Sequence, residues 1–91
     1  MPEMMARVEV RDFQTWLSNH RSQSDKRAEY GMEDGPIYRD IDDVNAAFVH
    51  LHVQDLAKAR EWFRTEEFAR STRNAGVVRR DFFVTDIQSP A

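Results

Sequence analysis

The feature that most constrains the fold is a polar turn, Asp42-Asp43-Val44-Asn45, with a predicted strand on each side of it. Residues 37–41 before the turn are rich in β-forming side chains, and Ala46–Val53 after it is almost entirely apolar or uncharged. A helix is expected to begin after Asp55, which is a favourable N-cap residue. With the elements before and after the hairpin, the predicted order is β-α-β-β-α-β.

The outer elements follow from hydrophobic periodicity. Alternation around Ala6, Val8 and Val10 predicts a first strand over residues 5–11. Helical spacing from Phe13 predicts a first helix from the Asp12 cap to about residue 30, with Gly31 as the stop. A second helical region over residues 55–74 is expected to break near residues 64–65, and residues 77–87 form the last strand. On that helical region Trp62 projects away from Leu56 and Phe63, which predicts an exposed ring that contacts a partner subunit or packs at the periphery.

This order, with two right-handed crossovers, gives an α+β, ferredoxin-like fold: a four-stranded antiparallel sheet with both helices on one face. Residues 1–91 form one domain, and residues 88–91 are expected to be a flexible tail. The third strand carries an aliphatic row and a second row, Phe48, His50 and His52, without formal charge at neutral pH. Because the uncovered sheet face would be apolar, two copies are expected to pack sheet against sheet as a homodimer. The sequence leaves open which row faces the helices.

Charge and composition exclude several classes of function. The thirteen basic residues are interspersed with sixteen acidic ones, for a net charge of −3, so the chain has no basic stripe for nucleic acid. The absence of cysteine excludes a thiolate nucleophile and agrees with a reducing compartment, so we expect a cytoplasmic protein. No apolar run is long enough for a signal peptide or a membrane span.

The chain resembles the dimeric α+β barrel superfamily, near the antibiotic-biosynthesis monooxygenases and the polyketide cyclase-like proteins. The resemblance covers nearly the whole chain and is carried by Asp12-Phe13 with Trp16, residues 27–31, Tyr38-Arg39-Asp40, the turn at residues 42–45, residues 55–60 and Ala75-Gly76-Val77. It implies ferredoxin-like subunits paired through their sheets.

The chain also departs from this family. Relatives usually have Pro where Val44 stands, and they tend to have a Trp, which lines the pocket of oxygenase-like members, where Val53 stands. At the positions of His20, His50 and His52 they commonly carry other residue types.

These three histidines are the candidate catalytic residues. His50 and His52 project from the same sheet face, roughly 6 to 7 Å apart along the strand. Imidazole titrates near neutrality, so either ring could transfer a proton. Two alternatives remain open: hydrogen-bonded interface or core histidines, and metal ligands. Neither a nearby Cys nor an HExxH-like spacing supports a metal, so none is predicted.

Candidate substrate-binding residues come from two regions. The core-facing sector of the first helix becomes polar towards its end, so Trp16, Gln23 and Arg27 could roof a cavity between helix and sheet together with His20. Alternatively, this helix end overhangs the sheet and is solvated. Tyr38 and Phe48 complete the set, the first with a hydroxyl that can donate to a ligand.

The resulting hypothesis is a homodimeric, cofactor-independent small-molecule enzyme, cyclase-like or oxygenase-like, that transfers a proton on an aromatic or polyketide-like substrate. A histidine would move the proton, Arg27 or Tyr38 would stabilise enolate charge, and Trp16 and Phe48 would hold the substrate. The alternative is a non-catalytic ligand-binding or structural homodimer.

Overall fold

Four strands and two pairs of short helices make up residues 2–89, the part of the chain that the computed structural model describes. Of the predicted tail, Pro90 and Ala91 lie outside the described residues, and Gln88 and Ser89 follow the last strand. The elements are β1 (Pro2–Val10), α1 (Phe13–Ser22), α2 (Ser24–Glu29), β2 (Met32–Arg39), β3 (Ala46–Val53), α3 (Leu56–Phe63), α4 (Glu66–Asn74) and β4 (Val77–Asp86).

The strands form one antiparallel sheet in the order β2-β3-β1-β4, which confirms the predicted ferredoxin-like fold. The β2–β3 hairpin is also confirmed, although β2 begins earlier than predicted and ends before Ile41. The carboxylate of Asp40 closes the turn by accepting from the backbone N–H groups of Asp42 and Asp43. Gly35 lies at a register shift where a Cβ would come 2.7 Å from the backbone oxygen of His50, so the strands can approach closely only with glycine there.

The predicted first helix is in fact two helices that meet at Gln23. Asp12 caps α1 as expected, because its carboxylate accepts from the backbone N–H of Thr15 at 2.9 Å. Near the other end, the Ser22 hydroxyl donates to the backbone oxygen of Asn19 at 2.7 Å. Such local bonds compete with helix continuation, and Gln23 leaves the helical conformation at φ −104° and ψ 12°. The predicted break in the second helical region is confirmed, with Thr65 capping α4.

Both helix pairs cover the sheet face that carries the aliphatic row of β3. That row packs with the inward residues of β1 to form the core: Met4, Ala6, Val8, Val10, Ala47, Val49, Leu51 and Val53. The other row, Phe48, His50 and His52, therefore lies on the opposite face, which we call the open face. The question that the sequence left open is thus answered by core packing.

The prediction for Trp62 is wrong, since its side chain is only 1% exposed. Its ring packs against Tyr30 at 5.2 Å and Phe68 at 5.9 Å between centroids. The prediction failed because it took Leu56 and Phe63 as markers of the inward side of α3, and both are only half-buried. The face that carries Ala59 and Trp62 is the buried one.

No helix within residues 2–89 is both long enough and apolar enough to cross a membrane.

Candidate functional site

The structure divides the candidate residues between the two faces of the sheet. Trp16, His20 and Arg27 line a pocket between the helices and the sheet. Tyr38, Phe48 and His50 line a hollow on the open face, and His52 lies beside His50. Gln23, at the junction of α1 and α2, lines neither cavity. His20 and the His50/His52 pair therefore do not share a site within one subunit.

The helix-side pocket encloses about 50 Å³. Its walls are five aromatic and four aliphatic side chains, and its polar groups are one imidazole and two guanidinium groups: Trp16, Trp62, Phe63, Phe68, Phe82, Ala6, Val8, Val49, Leu51, His20, Arg27 and Arg80. The enclosed part has room for a small group of atoms, whereas Phe82 at the rim is exposed to solvent. An apolar pocket with a few convergent polar groups is typical of small-molecule sites.

His20 is the titratable group in this pocket whose environment is most unusual. Its imidazole stacks on Trp16, with centroids 5.2 Å apart and an angle of 25° between the planes. Burial, with a smaller effect of the positive charge of Arg27, lowers the pKa of His20 to about 4. The ring is therefore neutral at physiological pH and can accept a proton. Negative charge arriving in the pocket would raise this pKa towards neutrality and make the ring a stronger base.

Arg80 brings a positive charge into the same pocket, and the sequence analysis missed it. Its guanidinium lies over the rings of Phe68 and Phe82, 4.8 and 5.3 Å from their centroids, and its Nη1 donates to the Thr72 hydroxyl at 3.1 Å. Burial lowers the pKa of Arg80 to about 10, so the group stays charged. No carboxylate among residues 2–89 forms an ion pair with it, which leaves donors for an anionic group. The sequence pattern that could have revealed Arg80 is strand alternation: residues two apart lie on the same face of a strand, so Arg80 shares a face of β4 with Phe82.

Arg27, by contrast, is occupied by the protein itself. Its Nε and Nη2 donate to the two carboxylate oxygens of Asp34 at 2.6 and 2.9 Å, and Nη2 also donates to the backbone oxygen of His20 at 2.6 Å. Burial alone would raise the pKa of Asp34, but hydrogen bonds from Arg27 and Ser24 outweigh it and lower that pKa. Arg27 therefore fixes the end of α1, where His20 lies, relative to β2.

On the open face, Glu3 lies between the two histidines. Its Oε2 is 2.8 Å from Nδ1 of His52 and 3.2 Å from Nε2 of His50, and the two imidazole centroids are 4.8 Å apart. The hydrogen bond with His52 is the main cause that lowers the pKa of Glu3, so the carboxylate is ionised at neutral pH. We call these residues the Glu3–His50–His52 cluster. Two imidazoles and one carboxylate can transfer a proton among themselves or ligate a divalent metal ion.

Next to this cluster, the open-face hollow has a volume of about 380 Å³. Its apolar walls come from Met5, Phe48 and Phe83, and Tyr38 lies at its side. Phe83 is 56% exposed and Tyr38 is 60% exposed in a single subunit. A contiguous apolar surface of this kind is typical of an interface, so the hollow would be closed or filled by whatever covers this face.

Comparison with known proteins places the fold. No family model matches the chain, and a search of curated proteins finds no match. A candidate antibiotic biosynthesis monooxygenase of Nitrosomonas europaea superposes with a TM-score of 0.70 at 13% identity, covering 98% of this chain and 100% of that one. A further candidate from Deinococcus radiodurans gives 0.69 at 8% identity, covering 100% and 96%.

SnoaB, a cofactor-independent oxygenase from Streptomyces nogalater solved as a mutant, gives a TM-score of 0.71 at 15% identity, covering 99% of this chain and 97% of that one. The chain thus has the ferredoxin-like fold of antibiotic biosynthesis monooxygenase-like proteins. At these identities the likeness establishes the fold, and the activity has to be argued from the site.

Proposed function

We propose that the chain is a homodimeric, cofactor-independent enzyme that transfers a proton on a flat aromatic or polyketide-like molecule in the helix-side pocket. One observation carries this proposal: neutral His20 and positively charged Arg80 line the same aromatic pocket, and Arg80 has no carboxylate partner among the described residues. A base beside an uncompensated cation suits a reaction in which a neutral substrate becomes an anion.

In this mechanism His20 removes a proton from an acidic C–H or O–H group of the substrate. Arg80 stabilises the negative charge that develops on the enolate or phenolate oxygen. A positioned base contributes typically 10²–10⁴-fold to the rate. Arg27 acts as a positioning residue, because its hydrogen bond to the His20 backbone oxygen fixes the end of α1.

The size of the pocket limits how a substrate would bind. About 50 Å³ admits the reacting edge of a ring but not a fused ring system. We therefore expect the reacting edge to enter between Trp16 and Arg80 while the remaining rings lie over Phe63 and the exposed rim at Phe82. Cyclisation and oxygenation can both begin from the resulting enolate, and the proposal concerns that shared first step.

The homodimer in this proposal is supported by the open face. Four large side chains with apolar surface, Met5, Tyr38, Phe48 and Phe83, are exposed there in a single subunit. Because they form one surface on the pleated sheet, a second copy packed against it would remove them from water together.

The experiment that tests the proposal is a thermal-shift screen with flat hydroxyaromatic compounds, followed by turnover assays of those that bind. Hits should stabilise the wild-type chain, and the shift should be lost in Arg80→Met, which removes the cation. Hits that stabilise both chains equally would contradict the proposed binding mode.

A second candidate function is the non-catalytic ligand-binding or structural homodimer. One observation favours it: His50 and His52 already have a hydrogen-bonding partner in Glu3, as interface histidines would. It predicts that the dimer forms and that none of the compounds that bind to the chain is turned over. The catalytic roles predicted for His50 and His52 stay predictions.

A further inference from the structure

The Glu3–His50–His52 cluster lies on rigid parts of the sheet rather than on loops. Glu3 and His52 are directly opposite each other on β1 and β3, the two central strands. His50 is two residues before His52, so its side chain projects from the same face. The backbone register therefore presents three donor groups in one place, without any chain rearrangement.

The spacing of the donor atoms matches that of metal ligands. The ligand atoms of the three side chains all lie within 4.8 Å of one another, and the carboxylate oxygens are 2.8 to 3.2 Å from the imidazole nitrogens. Ligands bound to Zn²⁺ at about 2.0–2.1 Å in a tetrahedron are roughly 3.3 Å apart. Small side-chain rotations would thus put an ion between the carboxylate and both rings in place of the two N–H protons.

We propose that Glu3, His50 and His52 bind one divalent transition-metal ion of the zinc type. Two imidazole nitrogens and one carboxylate suit ions such as Zn²⁺, Co²⁺ and Ni²⁺, whereas Mg²⁺ and Ca²⁺ prefer oxygen ligands only. In a single subunit the three side chains are partly exposed, with side-chain exposures of 25% for Glu3, 27% for His50 and 37% for His52. With three protein ligands, a tetrahedral ion would have one further coordination position.

This site is independent of the proposed reaction, because it lies on the sheet face opposite to the helix-side pocket. It also departs from the sequence-based prediction of no metal. That prediction considered the histidines, the absence of cysteine and the HExxH spacing, and it missed Glu3. Glu3 lies before the strand start predicted at residue 5, whereas β1 in fact begins at Pro2.

The test is Zn²⁺ binding to the full chain purified without an affinity tag and stripped with a chelator. Competition with a chromophoric chelator should give one Zn²⁺ per chain. Glu3→Gln, His50→Gln and His52→Gln should each weaken binding by at least about 100-fold, since even outer-shell changes cost 10–100-fold. Excess Mg²⁺ should not compete.

Two matched controls separate this site from adventitious binding. Glu61→Gln removes an exposed carboxylate on α3, and His20→Asn removes the remaining histidine. Both should bind Zn²⁺ as the wild type does. Wild-type affinity in any of the three cluster variants, or no binding by the wild-type chain, would overturn the proposed site.

A second measurement needs no substitution and therefore does not depend on a variant that folds. Zn²⁺ added to the wild-type chain should shift the ring-nitrogen NMR signals of His50 and His52 and leave those of His20 in place. Unchanged signals for the pair, or equal shifts for all three rings, would refute the proposal.

Discussion

The His20 imidazole lies against the Trp16 indole, with ring centroids 5.2 Å apart and an angle of 25° between the planes. This stack covers one side of the half-buried imidazole, which lines the pocket that Arg80 also lines. The environment that suppresses protonation of His20 is therefore the same environment that would receive a developing anion.

The first prediction concerns pH. Folding lowers the pKa of His20 from 6.5 to about 4, so the unfolded chain binds this proton first as the pH falls. The free energy of unfolding should therefore decrease between about pH 6.5 and pH 4, with up to about 2 kcal/mol lost between pH 7 and pH 5 through this group. Urea denaturation at both pH values should show a smaller loss in His20→Asn. An NMR titration giving His20 a pKa near 6.5 would contradict the burial argument.

The second prediction separates binding from stability at Arg80. Arg80→Met removes a half-buried cation that has no carboxylate partner among the described residues, and it also removes the contacts of that cation with Phe68 and Phe82. Because these effects oppose each other, the free energy of unfolding should change by no more than about 1 kcal/mol. Binding of anionic hydroxyaromatic compounds, measured by calorimetry, should nevertheless be lost.

The control for this substitution is Arg79→Met. Arg79 is the neighbouring residue on the other face of β4 and pairs with Asp81, so its loss should leave binding unchanged. If both variants lost binding to the same extent, the effect would come from net charge and not from the pocket.

The third prediction concerns Trp62. Because its ring is fully buried between Tyr30 and Phe68, Trp62→Ala should lower the free energy of unfolding by about 3–5 kcal/mol. Val78→Ala, at a strongly exposed position, should change it by less than about 0.5 kcal/mol. Equal values for the two variants in chemical denaturation would show that Trp62 is not a core residue.

The fourth prediction concerns the dimer. Met5→Lys combined with Phe83→Lys puts two charges on the open face at positions that are exposed in the subunit, so the fold should survive while association fails. Sedimentation velocity should show a dimer for the wild type and a monomer for this variant. Ile41→Lys, at a turn position that is 94% exposed, should remain dimeric. A monomeric wild type at high protein concentration would contradict sheet-to-sheet packing.

Much of the fold was predictable because strand alternation and capping residues act locally. The bounds of β3 and the break at Thr65 follow from such signals. The break at Gln23 did not, because no Gly or Pro marks it in the sequence, and it coincides with the hydrogen bond from the Ser22 hydroxyl back to Asn19. Trp62 was misplaced for a related reason: a helix of eight residues has too few apolar positions to show which face is buried.

The candidate sites were only half predictable. Helical spacing placed Trp16, His20, Gln23 and Arg27 on one sector of the predicted helix, and three of these four residues line the helix-side pocket, whereas Gln23 does not. Arg80 and Glu3 reach their sites through strand register, which pairs residues far apart in the chain: Glu3 with His52, and Arg80 with Val8. Without that register, the sequence could not show that Arg80 lies near His20 or that Glu3 lies near His50 and His52.

The most direct test of the central claim is deuterium exchange into a panel of enolisable aryl ketones such as β-tetralone, because exchange requires proton transfer and nothing further. For ketones that bind, the wild-type chain should accelerate exchange over buffer. His20→Asn should reduce that acceleration by about 100-fold or more, while His50→Gln should keep it. A ketone whose exchange is accelerated equally by the wild type and by His20→Asn would show that His20 is not the base.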